Sequence, residues 1–138
     1  MTGFEIFWPI LAQVLLVYAL YGLLRIRRRS MVREGRMDDD GIRWSANDPP
    51  QSLVVKNCIA NQFELPVLFY VCCILLYITE ADNLPSVVAA WAFVASRYAH
   101  AAVHVTSNRV SVRFPLFMAG FILLGGLWGW LALWMATS

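Results

Sequence analysis

Charge is scarce in this chain. Lys, Arg, Asp and Glu together make up 14% of its 138 residues, against about 25% in ordinary globular chains. Apolar residues fill the gap at 59%, and a soluble chain of this length could not bury so much apolar surface, so lipid is the expected solvent for most of it. Cysteine is also sparse. Cys58, Cys72 and Cys73 form no CxxC pair and no secreted-type spacing, which excludes a disulfide framework or a zinc site and leaves them as small apolar helix residues. Only two histidines occur. His100 and His104 have the spacing of two metal ligands on one helix face, but without HExxH or nearby cysteines no metal is expected. No internal repeat or low-complexity tract is visible. The run of arginines after residue 24 has no interleaved aromatics, so nucleic acid is not an expected partner.

Four long apolar segments remain, approximately Phe4–Leu24, Leu53–Ile78, Leu84–Thr106 and Phe114–Ala136. Each approaches or exceeds the roughly 20 residues that cross a bilayer as a helix, and none alternates with the period of a barrel strand. The expected fold is an all-α membrane protein, a single domain over residues 1–138 built as an antiparallel four-transmembrane-helix bundle. The first segment is preceded by Glu5 rather than a basic region and lacks a small-residue cleavage pattern, so it is not expected to be a cleavable signal peptide.

Arginine placement supplies an orientation. Arg25, Arg27, Arg28, Arg29, Arg33, Arg36, Arg43 and Lys56 fall between or beside spans one and two, and Arg109 and Arg113 between spans three and four. The connection Thr79–Asn83 has no basic residue. By the positive-inside rule both basic loops are cytoplasmic and both termini lie outside. Trp8, Trp130 and Trp134 then fall near the outer interface, where indole rings favour the headgroup region. The polar loop over residues 26–52 holds an acidic cluster, Asp38, Asp39 and Asp40, and a turn signal at Asn47-Asp-Pro-Pro50. Its arginines read as the topogenic signal and as attraction to anionic headgroups.

Glu64 lies inside an apolar run, where a carboxylate needs a partner or a role. It sits about 16 Å along span two, and Arg97 lies about 14 Å from the same side on the antiparallel span three. Pairing the two is the cheapest answer to their burial. Asn57, Asn61 and Glu64 follow i, i+4, i+7 within about 60°, and Arg97, His100, His104 and Asn108 share a face within about 80°. Lipid cannot satisfy such groups, so both stripes are expected to face the bundle interior or a subunit interface. They would border a cytoplasm-facing cavity for an anionic, hydrogen-bonding ligand, with Arg109 and Arg113 at its edge. Pro66 is expected to kink span two beside Glu64 by displacing the carbonyl of Gln62. Two blander readings stand alongside: Glu64–Arg97 as a purely structural pair, and Gly125-x3-Gly129 as a close helix-packing surface.

The pattern Asn61-x-x-Glu64-x-Pro66 in the second span, and Arg97-Tyr98 in the third followed by a basic loop, resemble the MAPEG family, the membrane-associated proteins of eicosanoid and glutathione metabolism. The resemblance spans nearly the whole chain, is strongest from Val55 to Pro115, and is closest to the bacterial branch through His100, His104 and Ser107-Asn-Arg109. It implies a homotrimer in the bacterial inner membrane, with glutathione as co-substrate bound between neighbouring protomers. Asn61, Glu64, Arg97 and Tyr98 match the family's glutathione-binding positions. Asn57, His100 and His104 share the same faces, and Arg109, or else Arg113, would activate the thiol. The implied reaction is glutathione conjugation to, or reduction of, a hydrophobic electrophile arriving through lipid. Asn57 stands where some members have an arginine, and Leu65 and Ala102 where some have tyrosines. The family also includes a non-catalytic lipid-binding scaffold, and a metal-dependent enzyme using His100 and His104 is a third reading.

Overall fold

The computed structural model describes residues 3–35 and 48–138; Arg36, Arg43, the acidic cluster and Asn47 lie outside the described residues. A 3-10 turn, Glu5–Phe7, leads into α1 (Trp8–Arg33), followed by α2 (Pro50–Gln62), α3 (Leu65–Ile78), α4 (Leu84–Val105) and α5 (Val110–Thr137). There is no strand among the described residues. α2 and α3 together occupy the second expected span, so the chain makes four helical passes with one of them broken. The segments Glu5–Arg33, Pro50–Ile78 and Val110–Thr137 are long and apolar enough to cross a membrane. Leu84–Val105 has the length, but Arg97, His100 and His104 on its buried face dilute its hydropathy.

α1 is longer than its apolar segment. It runs to Arg33 rather than yielding to a loop at Ile26, because arginine is a good helix former and nothing before Gly35 breaks the pattern. Its 26 residues correspond to about 39 Å, beyond the roughly 30 Å of a hydrocarbon core. Gly35 ends it at φ 76°, a left-handed cap in which the Glu34 and Gly35 amides return to the Ser30 and Val32 carbonyls. Pro49 and Pro50 open α2 with Pro50 in its first turn, where a missing N–H costs nothing. At the opposite end Asn83 and Ser86 form a reciprocal capping box on α4. There the Trp130 and Trp134 indoles donate to the carbonyls of Ala81 (2.8 Å) and Thr79 (2.9 Å), fastening α5 to the α3–α4 turn.

Two apolar clusters form the interior. One, at the tryptophan end, gathers Ile6, Phe69, Cys72, Leu76, Ala90, Phe93, Leu124 and Leu131. The other, at the arginine end, gathers Leu16, Leu20, Leu24, Val55, Cys58, Ile59 and Ala101. The three cysteines are unpaired and buried. Against lipid, such packing stabilises through van der Waals contact rather than release of water, so close approach matters. α4 and α5 form the most extensive helix pair, and Gly120 makes it possible: a Cβ there would stand 2.8 Å from the Ser96 hydroxyl. Gly125 and Gly129 face open space, so their packing surface is not used within the chain.

Candidate functional site

Between the two clusters the interior turns polar. Gln13 on α1 donates from Nε2 to Oε1 of Gln62 on α2 at 2.8 Å, and Gln62 in turn donates to the Cys58 carbonyl at 3.1 Å. Both glutamines are almost wholly buried. Just past Gln62 the second pass breaks. Pro66 is not a kink inside a continuous helix; it occupies the first turn of α3. Its ring excludes the helical course for the residues before it, so α2 stops at Gln62 and the turn Asn61–Glu64 carries the chain onward through the Glu64 amide and Asn61 carbonyl. The i, i+4, i+7 stripe is therefore interrupted before Glu64, which lies exposed at φ −101°, ψ −100°.

α4 presents Arg97, His100 and His104 on its buried face. Tyr98 turns the other way and donates its hydroxyl to the Ala12 carbonyl of α1 at 2.6 Å. Asn108 is not on this helix, which ends at Val105. It sits in the α4–α5 turn at φ 51°, a left-handed conformation that asparagine tolerates. From there its Oδ1 accepts a 2.7 Å hydrogen bond from Arg113 Nη1. Arg109 precedes α5 as its N-cap and is exposed.

These elements enclose a cavity of about 350 Å³, within the usual range of small-molecule pockets, about 300–1,000 Å³. Asn57, Asn61 and Glu64 line it from α2 and the break, His100 and His104 from α4, and Val110, Arg113, Phe114 and Phe117 from α5. Of the residues expected at the site, Arg97, Tyr98 and Arg109 do not line it. Phe114 and Phe117, absent from the expected set, supply an apolar wall; phenylalanine in a span carries no signal that separates lining from lipid contact.

The expected Glu64–Arg97 ion pair is not formed. Arg97 is 1% exposed, and among the described residues none of its three guanidinium nitrogens has a hydrogen-bond partner. The break carries Glu64 to the surface of the chain while α4 holds Arg97 inside. The Nδ1 atoms of His100 and His104 are also buried without partners among the described residues. Among the described residues no three His, Cys, Asp or Glu side chains cluster so as to hold a metal ion.

A second polar cluster, at the arginine end, escaped the sequence reading. The Asp48 carboxylate is fully buried and takes a bidentate pair from Arg28 (2.9 and 2.8 Å), a hydrogen bond from Ser52 Oγ at 2.9 Å, and Lys56 at 3.7 Å. The Arg28 hydrogen bond holds the Asp48 carboxyl below its ordinary range, against the opposing effect of burial. Beside it Arg27 donates to the carbonyls of Gln51 and Val105, each at 2.8 Å. The ends of α1, α2 and α4 are thereby tied together, which frames the mouth of the bundle. Arg27 and Arg28, expected as part of the topogenic signal and as attraction to anionic headgroups, are thus also fasteners.

Long apolar helices around a buried polar level and a lined cavity define an integral membrane protein of the helical-bundle class. The MAPEG family model matches residues 6–133, nearly the whole chain, and the chain belongs to that family. Comparisons with curated proteins and with solved structures each found no match.

Proposed function

We propose that the chain is a glutathione-dependent membrane enzyme that transfers glutathione to, or uses it to reduce, hydrophobic electrophiles dissolved in the bilayer. Family membership supports the glutathione chemistry in general terms. The observation that carries the reading is the composition of the cavity: two carboxamides, one carboxylate, two imidazoles and one guanidinium converge on one space beside an apolar wall of phenylalanines. Those donors and acceptors suit a peptide-like ligand with charged ends, and the wall suits an apolar acceptor.

A thiol is a weak nucleophile until ionised, and a guanidinium stabilises the thiolate. Arg113 is the arginine that lines the cavity, and its orientation is held by Asn108; it is assigned this role in preference to Arg109. Asn57, Asn61 and Glu64 would hold the peptide, with Glu64 facing its ammonium group. Arg97 would contribute its field from behind the wall. The working unit is a homotrimer in a bacterial inner membrane, with the arginine end in the cytoplasm and both termini outside, as the family resemblance and the positive-inside rule suggest.

The test compares R113A with R109A in conjugation of a generic aryl halide. R113A is expected to lose activity on the order of 100-fold, and R109A to lose little. The opposite order would move the thiol-activating role to Arg109, and wild-type rates in both would remove it from this turn.

A further inference from the structure

We propose that His104 is the proton acceptor for the glutathione thiol, a catalytic base in addition to the stabilising cation. This rests on the reading that the cavity takes glutathione. A guanidinium can stabilise a thiolate but cannot take its proton, since arginine stays protonated in proteins. The cavity therefore either gives the proton to water or holds a base. Its candidates are Glu64, His100 and His104. Glu64 is exposed and stands across the helix break. The imidazoles are buried to 3% and 8% exposure, and neither ring makes a hydrogen bond to the protein among the described residues. Both are thus uncommitted, unlike a histidine serving a packing role with its nitrogens satisfied.

Position separates the two. His104 is one turn nearer the α4–α5 connection, beyond which Arg113 enters the cavity, and it is the less deeply buried of the two rings. His100 lies deeper, its ring 6.1 Å from that of Phe117 on α5. A thiol placed against Arg113 therefore meets His104 first. The charges facing His104 are Arg97 and His100 on its own helix, Arg113 on α5 and Glu64 at the break. Without ligand, an imidazolium here would join two guanidiniums with one carboxylate opposing. Glutathione brings two carboxylates and one ammonium, and its thiolate adds another negative charge. The bound ligand itself makes the proton transfer favourable.

In the step, the S–H bond breaks, its electron pair remains on sulfur, and the proton passes to an imidazole nitrogen of His104. The thiolate then forms a carbon–sulfur bond with the aryl halide, halide departs with its bonding pair, and the imidazolium returns its proton to bulk water.

Proton release on binding tests this directly. At neutral pH in weak buffer, wild-type trimer titrated with glutathione should show the thiolate absorbance with far less than one proton released per thiolate, because His104 retains it. Release of one proton per thiolate overturns the proposal, and this reading needs no variant. H104Q should still bind glutathione, measured by equilibrium dialysis, yet lose the thiolate signal and on the order of 100-fold in conjugation rate. A wild-type thiolate signal in H104Q also overturns it. Failure of wild type to bind glutathione would instead overturn the underlying assignment of the cavity, and this inference with it.

Discussion

Glu64 and Arg97 do not pair: among the described residues the guanidinium, 1% exposed, has no hydrogen-bond partner, and the carboxylate lies at the surface of the chain beside a broken helix. Lipid offers neither a counter-charge nor hydrogen bonds. Arg97 is accordingly a buried charge to which the described residues supply no hydrogen bond, and under the proposed function a ligand's negative charge would relieve that cost.

That cost has a measurable sign. R97M should raise the thermal stability of the ligand-free protein in detergent, since a buried ion without a partner carries a desolvation penalty that an apolar side chain of similar volume does not. The same variant should lose glutathione binding. A fall in stability would show that Arg97 already has a partner in the assembled protein.

E64Q separates the partners. Because Glu64 forms no ion pair among the described residues, the ligand-free melting temperature should not change. Glutathione affinity should weaken about 10–100-fold, the worth of one charge-assisted hydrogen bond. Destabilisation without ligand, with affinity intact, would return Glu64 to a structural role.

How much of this was legible follows from range. Asn57, Asn61, His100 and His104 were readable because a polar group within an apolar run must face inward, and helical periodicity then fixes which groups share a face. Arg97 was readable as buried but not as unpaired, because depth along two helices says nothing of where the side chains point. Pro66 has two physical outcomes, a kink or a restart, and only packing decides between them. Asp48 lies twenty residues from Arg28, a separation that no local sequence pattern bridges.

The Gln13–Gln62 hydrogen bond gives a paired test at the polar level. Q13L should destabilise the bundle by about 1–2 kcal/mol, because it leaves the Gln62 carbonyl oxygen buried and unbonded. The double variant Q13L/Q62L should recover most of that loss, since the orphaned Gln62 oxygen is gone. Additive losses in the double variant would mean that the Gln13–Gln62 hydrogen bond does not couple the two sites.

Asp48 makes a pH prediction. Its carboxyl is held low in the folded protein, chiefly by Arg28, so the unfolded chain takes up the proton first as pH falls. The stability it contributes is fully present above the ordinary carboxyl value and is lost as pH drops through the lower folded value. Wild type should therefore lose stability below about pH 4. D48N should cost about 1–3 kcal/mol at neutral pH and show a flatter acid limb. An unchanged acid limb would remove Asp48 from the account.

The central claim is that the cavity lined by Asn57, Asn61, Glu64, His100, His104 and Arg113 binds glutathione and ionises its thiol. An equilibrium titration of the purified, detergent-solubilised protein with glutathione, followed by thiolate absorbance at neutral pH, tests it most directly. The account predicts a saturable thiolate signal at millimolar or lower glutathione that is lost in R113A. No binding at millimolar glutathione would contradict it and leave the fold as a lipid-binding bundle.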